Sequence, residues 1–349
     1  MEQKNRTEPA HGGDIYRNNV SLDFSVNLNP MGIPGPVMDE CVRALSELTN
    51  YPDHMQQGLR EAIASMEGVD ADDIICGNGA SELIMATVHA FRPAKALITT
   101  PCYAGYRYAL EAVGAEIREH DLKEPEGFVI DEAVLEEITD DLDIIFLGDP
   151  NNPSGRLIDR GLLNRIKEAC KVKGICLVMD ECFKPLTASG TKAPETGDET
   201  VYLRAFTKTL AIPGLRLGYI VCREKAVTDK IRGQLPEWNI SVVAQRAGIT
   251  AAKFAQARSE YMSDSLKLIE EERSYLTEKL TGMGIKVYPS DTSYLLIRSR
   301  EGLYEKLLER GILIRRCDNF SGLDGSYFRF AIRTHDDNEK LIEAIGEVI

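Results

Sequence analysis

Between about residue 74 and residue 222, the chain alternates short apolar runs with amphipathic stretches. The stretches include 81–91 and 160–171, where apolar residues recur at helical spacing. The apolar runs, which we interpret as strands, are Asp73–Cys76, Ala96–Thr99, Glu116–His120, Ile144–Gly148, Ile175–Asp180, Val201–Phe206 and Gly218–Cys222. Apolar strands separated by helices predict an α/β fold whose mostly parallel seven-stranded sheet is covered by helices. Such sheets bind ligands beyond the carboxyl ends of their strands, so functional residues are expected there.

The flanking segments predict a second, smaller unit of α+β type. Residues 1–20 are polar and indicate an irregular arm, and Leu22–Val26 indicates a short strand. A helical stretch over 241–282 precedes a β-α-β-β-α pattern at Tyr294–Arg298, Leu303–Arg310, Ile312–Arg315, Tyr327–Ile332 and Asn338–Ile349. We expect the arm and part of the small domain at 1–45, a large domain at 46–240, and the connecting helix with the rest of the small domain at 241–349.

Charge and cysteine usage exclude several classes of protein. The 349 residues carry a formal net charge of -14, which argues against a nucleic acid or an anionic membrane as partner. None of the 8 cysteines forms a C-x-x-C pair, so we expect reduced thiols and no metal site. No apolar run approaches the roughly 20 residues of a membrane helix. These features predict a soluble, cytoplasmic protein.

A lysine and an arginine follow the sixth candidate strand at a suggestive spacing. Lys208 comes just after the run, and Arg216 lies eight residues later within Pro-Gly-Leu-Arg. A lysine amine on a rigid scaffold can form a Schiff base with an aldehyde cofactor. An arginine offers a planar fork of donors that suits a phosphate.

Four further motifs lie at, or directly after, the ends of candidate strands. The turn Gly77-Asn-Gly79 opens a helix, and free N–H groups at a helix N-terminus bind phosphate. Asp180 ends an apolar strand, where a carboxylate is costly unless it is paired. The other two segments are Thr100-Pro-Cys-Tyr103 and Asp149-Pro-Asn-Asn152-Pro-Ser-Gly.

The order of these motifs resembles that of the fold-type-I pyridoxal-phosphate enzymes, the aspartate aminotransferase superfamily. The resemblance implies pyridoxal 5'-phosphate as the cofactor, with Lys208 as the Schiff-base lysine. It implies that Tyr103 stacks on the ring, that Asn152 bonds its phenolic oxygen and that Asp180 faces its nitrogen. The residues that it implies for the cofactor phosphate are Gly79, Ala80, Ser81, Thr207 and Arg216. Two positions depart from the family pattern, since Phe183 and Ala205 stand where tyrosine and a hydroxyl residue are common.

The ends of the chain resemble one branch of this superfamily, the threonine-phosphate decarboxylases of cobamide synthesis. The matching segments are His11-Gly-Gly, Leu22-Asp-Phe-Ser-Val-Asn-Leu-Asn29-Pro-Met-Gly and Ile312-Leu-Ile-Arg315 with Gly322-Leu-Asp-Gly. The resemblance implies decarboxylation of O-phospho-L-threonine or O-phospho-L-serine. It implies that Arg329 receives the α-carboxylate, and it gives His11, Asn29, Arg315 and Arg333 as candidates for the substrate phosphate.

Tyr51 resembles the tyrosine with which one subunit of such enzymes reaches the cofactor phosphate of its neighbour, which implies a homodimer. Two other functions stay open at this point. One is a histidinol-phosphate-type aminotransferase, since that branch is closely related. The other is a pyridoxal-phosphate-fold protein that binds ligand without turnover, because Phe183 and Ala205 remove two contacts to the cofactor.

Overall fold

The computed structural model describes residues 11–257 and 260–349. The strands are β1 Leu22–Asp23, β2 Ile74–Gly77, β3 Lys95–Thr100, β4 Glu116–Asp121, β5 Ile144–Gly148, β6 Cys176–Asp180, β7 Val201–Ala205, β8 Gly218–Val221, β9 Lys286–Val287, β10 Tyr294–Arg298, β11 Ile312–Leu313, β12 Arg315–Arg316 and β13 Tyr327–Ala331. The helices are α1 Gly35–Ala44, α2 Gln57–Glu67, α3 Ala80–Phe91, α4 Ala104–Ala112, α5 Val134–Glu137, α6 Arg160–Lys173, α7 Phe206–Thr209, α8 Lys225–Arg232, α9 Val242–Gln256, α10 Glu260–Gly282, α11 Leu303–Leu308 and α12 His335–Val348.

The predicted α/β sheet is confirmed, and its seven strands run in the order β2-β8-β7-β6-β5-β3-β4. β8 is antiparallel to both of its neighbours, and the other pairs are parallel. Side chains of successive strand residues enter two separate clusters, as the period of two requires. Helices α1, α2, α6 and α9 cover one face, and α3, α4 and α8 cover the other. The strands other than β4 therefore lie between two helical layers, which explains their continuous apolar sequences, whereas the edge strand β4 is polar and partly exposed.

A four-stranded antiparallel sheet of order β12-β13-β10-β9 forms the smaller unit. Its buried residues pack against α10, α11 and α12 in a third cluster that also includes Phe24. Phe24 is buried in this cluster because the strand just before it, β1, joins the smaller unit by pairing in parallel with β11. Among the described residues, every helix is too short or too polar to traverse a bilayer. The domain boundaries themselves stay a prediction.

Three of the predicted elements differ from the structure. The strand expected at 22–26 has only two residues, because Ser25 turns back to bond Asp23 Oδ1 through both its N–H and its hydroxyl. The strand expected at 312–315 divides, since β11 pairs with β1 whereas β12 pairs with β13. The stretch 241–282 contains α9 and α10, and residues 258–259 between them lie outside the described residues, as do the first ten residues of the arm.

A buried charge network ties α2 to the centre of the large sheet. Arg204 is 1% exposed and bonds Glu181 through Nε and Nη2 and Glu67 through Nη1. Tyr219 donates to the other oxygen of Glu67 at 2.6 Å. Loss of the guanidinium would leave two carboxylates buried without their cation, which is the costly case for a buried pair.

Arg204→Leu is therefore expected to lower the free energy of unfolding by about 3–5 kcal/mol. Urea unfolding of the apoprotein, followed by circular dichroism, measures it. Arg165→Leu is the matched control, because Arg165 pairs with Glu132 on the surface and its loss should cost less than about 1 kcal/mol. Equal effects of the two substitutions would contradict this account of the network.

Candidate active site

A cavity of about 240 Å³ lies beyond the carboxyl ends of β5, β6 and β7. Asp180 is the last residue of β6, while Asn152 and Lys208 follow β5 and β7. The N-termini of α3 and α4 close one side, and residues from the arm, β12 and β13 close the other. This position of the cavity agrees with the rule that parallel sheets bind ligands beyond the carboxyl ends of their strands. The cavity is thus built jointly by the large sheet and the smaller unit.

One end of the cavity is shaped for an anion. Ala80 and Ser81 begin the 12-residue helix α3, whose first N–H groups point outward without intrahelical acceptors. Gly79 has φ of 83°, and a Cβ on it would lie 2.5 Å from Arg216 Nη2. The positive φ favours glycine at this position, and a larger residue would also require the Arg216 guanidinium to move. Thr207 lines the same cavity and is 5% exposed.

Lys208 lies in the short helix α7, with its amine inside the cavity. Burial, followed by the charges of Arg329 and Arg216, lowers the pKa of Lys208 to about 8, although Cys182 and Asp180 act in the opposite direction. Its Nζ lies 5.7 Å from the centre of the Phe183 ring. The amine is therefore closer to its neutral, nucleophilic form at neutral pH than an ordinary lysine is.

Asp180 holds a fixed orientation on the cavity floor. Its Oδ1 accepts the N–H of Cys182 at 3.0 Å, and its Oδ2 accepts the hydroxyl of Tyr106 at 2.7 Å. No motif in the sequence pointed to this contact of Tyr106. Tyr106 lies three residues after Tyr103, the N-cap of α4, but this spacing does not identify Asp180, 74 residues away, as the partner of its hydroxyl.

Tyr103 and Asn152, two of the residues predicted to contact the cofactor, also line the cavity. The Tyr103 hydroxyl lies 3.4 Å from Ser81 Oγ, and its ring meets Tyr106 edge-on. Asn152 Oδ1 accepts a hydrogen bond from Arg329 Nη1. Phe183 is buried and packs edge-on against Tyr294, so no phenol stands at this position.

His11, Arg315 and Arg329 lie near one another in the cavity lining, and the two guanidinium groups give this part of the cavity positive charge. Both arginines are 7% exposed. Burial, together with the charge of Arg329, lowers the pKa of Arg315 to about 10, and burial followed by both arginines lowers the pKa of His11. The bonds described for Arg329 go to Asn152 and to the carbonyl oxygen of Ser25 at 3.0 Å. This electrostatic field favours an anionic ligand.

Asn27 is a cavity residue that the sequence interpretation did not single out. It is 2% exposed, and neither its Oδ1 nor its Nδ2 has a partner among the described residues. A buried amide without partners is costly, so a ligand that bonds it would be stabilised there.

Two predicted substrate residues lie outside the cavity lining. Asn29 donates from Nδ2 to Thr209 O at 2.9 Å and to Ser265 Oγ at 2.8 Å, so its amide is used in tying three segments together. Arg333 is paired with Asp337 at 2.9 Å and bonds the carbonyl oxygen of Asp23. Neither residue is among those that line the cavity, and their role with the substrate phosphate stays a prediction.

Tyr51 also lies away from the cavity of its own chain. Its side chain is 82% exposed, and its ring stands 5.0 Å from that of Trp238. A tyrosine this exposed, away from the cavity of its own chain, can contribute only to a site on another chain.

These residues fit pyridoxal 5'-phosphate. The glycine-lined cradle at α3 and Arg216 suits the phosphate, and the buried amine of Lys208 suits the aldehyde. Asp180 offers a carboxylate to a ring nitrogen, since one lone pair of each oxygen is still available beside its present donors.

Comparison with known proteins gives concordant matches. The family described as aminotransferase class I and II matches residues 20–345. The chain is 37% identical to the threonine-phosphate decarboxylase of Salmonella typhimurium, with 97% of this chain and 96% of that protein covered.

Two solved structures are also similar over most of the chain. The histidinol-phosphate aminotransferase from Clostridium acetobutylicum has a TM-score of 0.86 at 32% identity, with 94% of this chain and 98% of that one covered. The L-threonine-O-3-phosphate decarboxylase from Porphyromonas gingivalis has a TM-score of 0.81 at 26% identity, with 93% and 98% covered. Both kinds of enzyme named here therefore share this fold.

Proposed function

This chain belongs to the aminotransferase class I and II family, and from that premise we propose that it is a carboxy-lyase acting on O-phospho-L-threonine or O-phospho-L-serine. The cofactor of the family and of these relatives is pyridoxal 5'-phosphate. The observation that carries the proposal is the clustering of His11, Arg315 and Arg329 in the cavity that also contains Lys208, because a substrate with both a carboxylate and a phosphate would neutralise the positive field of the two arginines. The product would be an aminoalkyl phosphate.

The residues that would hold the cofactor lie in two places. One is the N-terminus of α3 with the turn before it, the α3 cradle (Gly79, Ala80 and Ser81), and the other is the set of strand ends. Bound pyridoxal phosphate supplies a ring that accepts the electron pair of a bond broken at the substrate Cα. For its phosphate we propose Gly79, Ala80, Ser81, Thr207 and Arg216, and for its ring Tyr103, Asn152 and Asp180. Ala205 and Phe183 leave more of this binding to Arg216 and Asn152.

We propose that Arg329 binds the α-carboxylate and that Arg315 and His11 bind the substrate phosphate. Asn27, with its unused amide, is a further candidate for a polar group of the substrate. We propose that the carboxylate leaves as CO2 and that the protonated Nζ of Lys208 then delivers the proton that replaces it on Cα. The low pKa of Lys208 suits a group that both releases and regains a proton near neutrality.

An aminotransferase of the histidinol-phosphate type is the second candidate. The similarity to the Clostridium acetobutylicum enzyme, at 32% identity, favours it. The 37% identity over nearly the whole chain to the Salmonella typhimurium decarboxylase favours the first, and with it a place in cobamide synthesis. A cytoplasmic location stays a prediction.

Product analysis separates the candidates. The cofactor-loaded protein is incubated with O-phospho-L-threonine, and separately with histidinol phosphate and 2-oxoglutarate, and the products are identified by mass. Loss of CO2 to give aminopropanol phosphate supports the decarboxylase, whereas glutamate in the second tube supports the aminotransferase. A cofactor absorbance band without turnover of either substrate would indicate a ligand-binding protein.

The depressed pKa of Lys208 predicts how cofactor uptake depends on pH. Only the neutral amine attacks an aldehyde, so the rate of incorporation into the apoprotein should rise about tenfold per pH unit below pH 8 and level off above it. Stopped-flow absorbance at the cofactor band measures this rate. A model lysine peptide is the control, and its rate should still be rising at pH 9. A midpoint near the ordinary lysine value would contradict the assignment.

We further propose a homodimer with shared sites. Met38, Val42, Leu45 and Leu48 form an exposed apolar stripe along α1 and the turn after it, near Tyr51. Sedimentation is expected to give about twice the chain mass of 38.8 kDa. Mixing Lys208→Ala with Tyr51→Ala protein, followed by subunit exchange, should give more activity than the two separate variants together, because mixed dimers contain one intact site. An active monomer would contradict the proposal.

A further inference from the structure

The hydrogen bond from Tyr106 to Asp180 joins two elements that are distant in sequence. The Tyr106 hydroxyl donates to Asp180 Oδ2 at 2.7 Å, while the backbone N–H of Cys182 occupies Oδ1. Each carboxylate oxygen thus has one fixed protein donor. The plane of the carboxylate is set by two contacts that come from different sides.

Packing of the Tyr106 ring fixes the position of its hydroxyl. It stacks on Phe146 with centroids 5.2 Å apart and planes inclined by 17°, and it meets Tyr103 edge-on at 5.5 Å. Tyr106 is 2% exposed. Burial and the neighbouring Asp180 charge hold the pKa of Tyr106 well above its ordinary value, so the phenol remains a donor. A hydrogen bond donated by this fixed phenol therefore restrains the carboxylate of Asp180 to one orientation.

We propose that Tyr106 is a positioning residue that holds Asp180 in the orientation in which its carboxylate is directed at the ring nitrogen of the cofactor. This inference rests on the cofactor role proposed above for Asp180, and it adds a residue that acts through it. Because Tyr103 is the N-cap of α4 and Tyr106 lies in its first turn, a single helix start would then control both the face of the ring and its nitrogen.

The test is a comparison of two cofactors by calorimetric titration of the apoprotein. One is pyridoxal phosphate, and the other is its 1-deaza analogue, in which carbon replaces the ring nitrogen. Tyr106→Phe keeps the packed ring and removes only the hydroxyl, so the variant should fold, which circular dichroism and thermal unfolding check. Tyr108→Phe is the matched control, since Tyr108 lies on the same helix and is 59% exposed.

We expect Tyr106→Phe to weaken binding of pyridoxal phosphate by about tenfold and to leave binding of the analogue nearly unchanged. Tyr108→Phe should change neither. In an Asp180→Asn background, Tyr106→Phe should have no further selective effect, because the two residues act as one unit.

Equal weakening of both cofactors by Tyr106→Phe would overturn the inference, because it would show a packing role only. A further loss for pyridoxal phosphate alone in the Asp180→Asn background would also overturn it. If the unsubstituted protein binds both cofactors equally, Asp180 does not act on the ring nitrogen and the inference fails with it. None of these titrations depends on phosphothreonine turnover, so failure of the proposed reaction is recognised separately.

Discussion

Lys208→Ala is expected to lower kcat on O-phospho-L-threonine by at least about 10³-fold, the largest effect of any single substitution in the chain. The substitution removes both the amine that bonds the aldehyde and the group proposed to return a proton to Cα. The α3 cradle and Arg216 are untouched, so the cofactor should still bind, but without a covalent bond. Borohydride treatment followed by peptide mass analysis detects that bond in the unsubstituted protein and should find none in the variant.

Lys225→Ala provides the control, because Lys225 is an exposed lysine paired with Asp229. It should keep full activity and covalent labelling at Lys208. Full activity of Lys208→Ala would mean that the reaction does not use the proposed amine, and the cofactor assignment of this residue would then be wrong.

Arg329→Gln is expected to lower kcat/KM by about 10²- to 10³-fold, the second largest effect. Arg329 is buried and holds both Asn152 and the Ser25 carbonyl oxygen. In the variant, the substrate carboxylate would enter a buried site that no longer contains its cationic partner. A buried charge without its partner costs free energy. Steady-state kinetics on O-phospho-L-threonine measures the loss, and the affinity for unphosphorylated L-threonine should fall as well, since that ligand has the same carboxylate.

Arg315→Gln distinguishes the two arginines. If Arg315 binds the phosphate, its loss should raise KM for the phosphorylated substrate far more than it changes the binding of L-threonine. Arg310→Gln is a suitable control, because Arg310 lies on the surface beside Glu347. The same effect of Arg315→Gln on both ligands would contradict the proposal that Arg315 binds the substrate phosphate.

The sheet and the motifs at its strand ends could be predicted because their signals are local. The apolar period marks each strand, and Asp180 and Lys208 lie within two or three residues of a strand end. The contacts of Asn29 were not predictable, since Thr209 and Ser265 are 180 and 236 residues away in sequence. The pairing of Arg333 with Asp337 spans only four residues and was a local signal that could have been used.

Tyr106 and Asn27 were missed for a related reason. Their residue types are common in cores and turns, and only the tertiary structure shows that one reaches Asp180 while the other has an unused amide facing the cavity. Burial of a polar side chain without a partner is a property of the folded chain. No pattern within a short window of sequence encodes it.

The division of the cavity between two sheets has a consequence for how such enzymes diversify. Groups suited to the cofactor come from strand ends and helix starts of the large sheet, whereas Arg315, Arg329 and His11 come from β12, β13 and the arm. A mutational library confined to the residues from β12, β13 and the arm is expected to change substrate preference while cofactor binding is preserved. Gene duplication followed by drift in that set would likewise yield new activities, which accords with one fold serving both a decarboxylase and an aminotransferase.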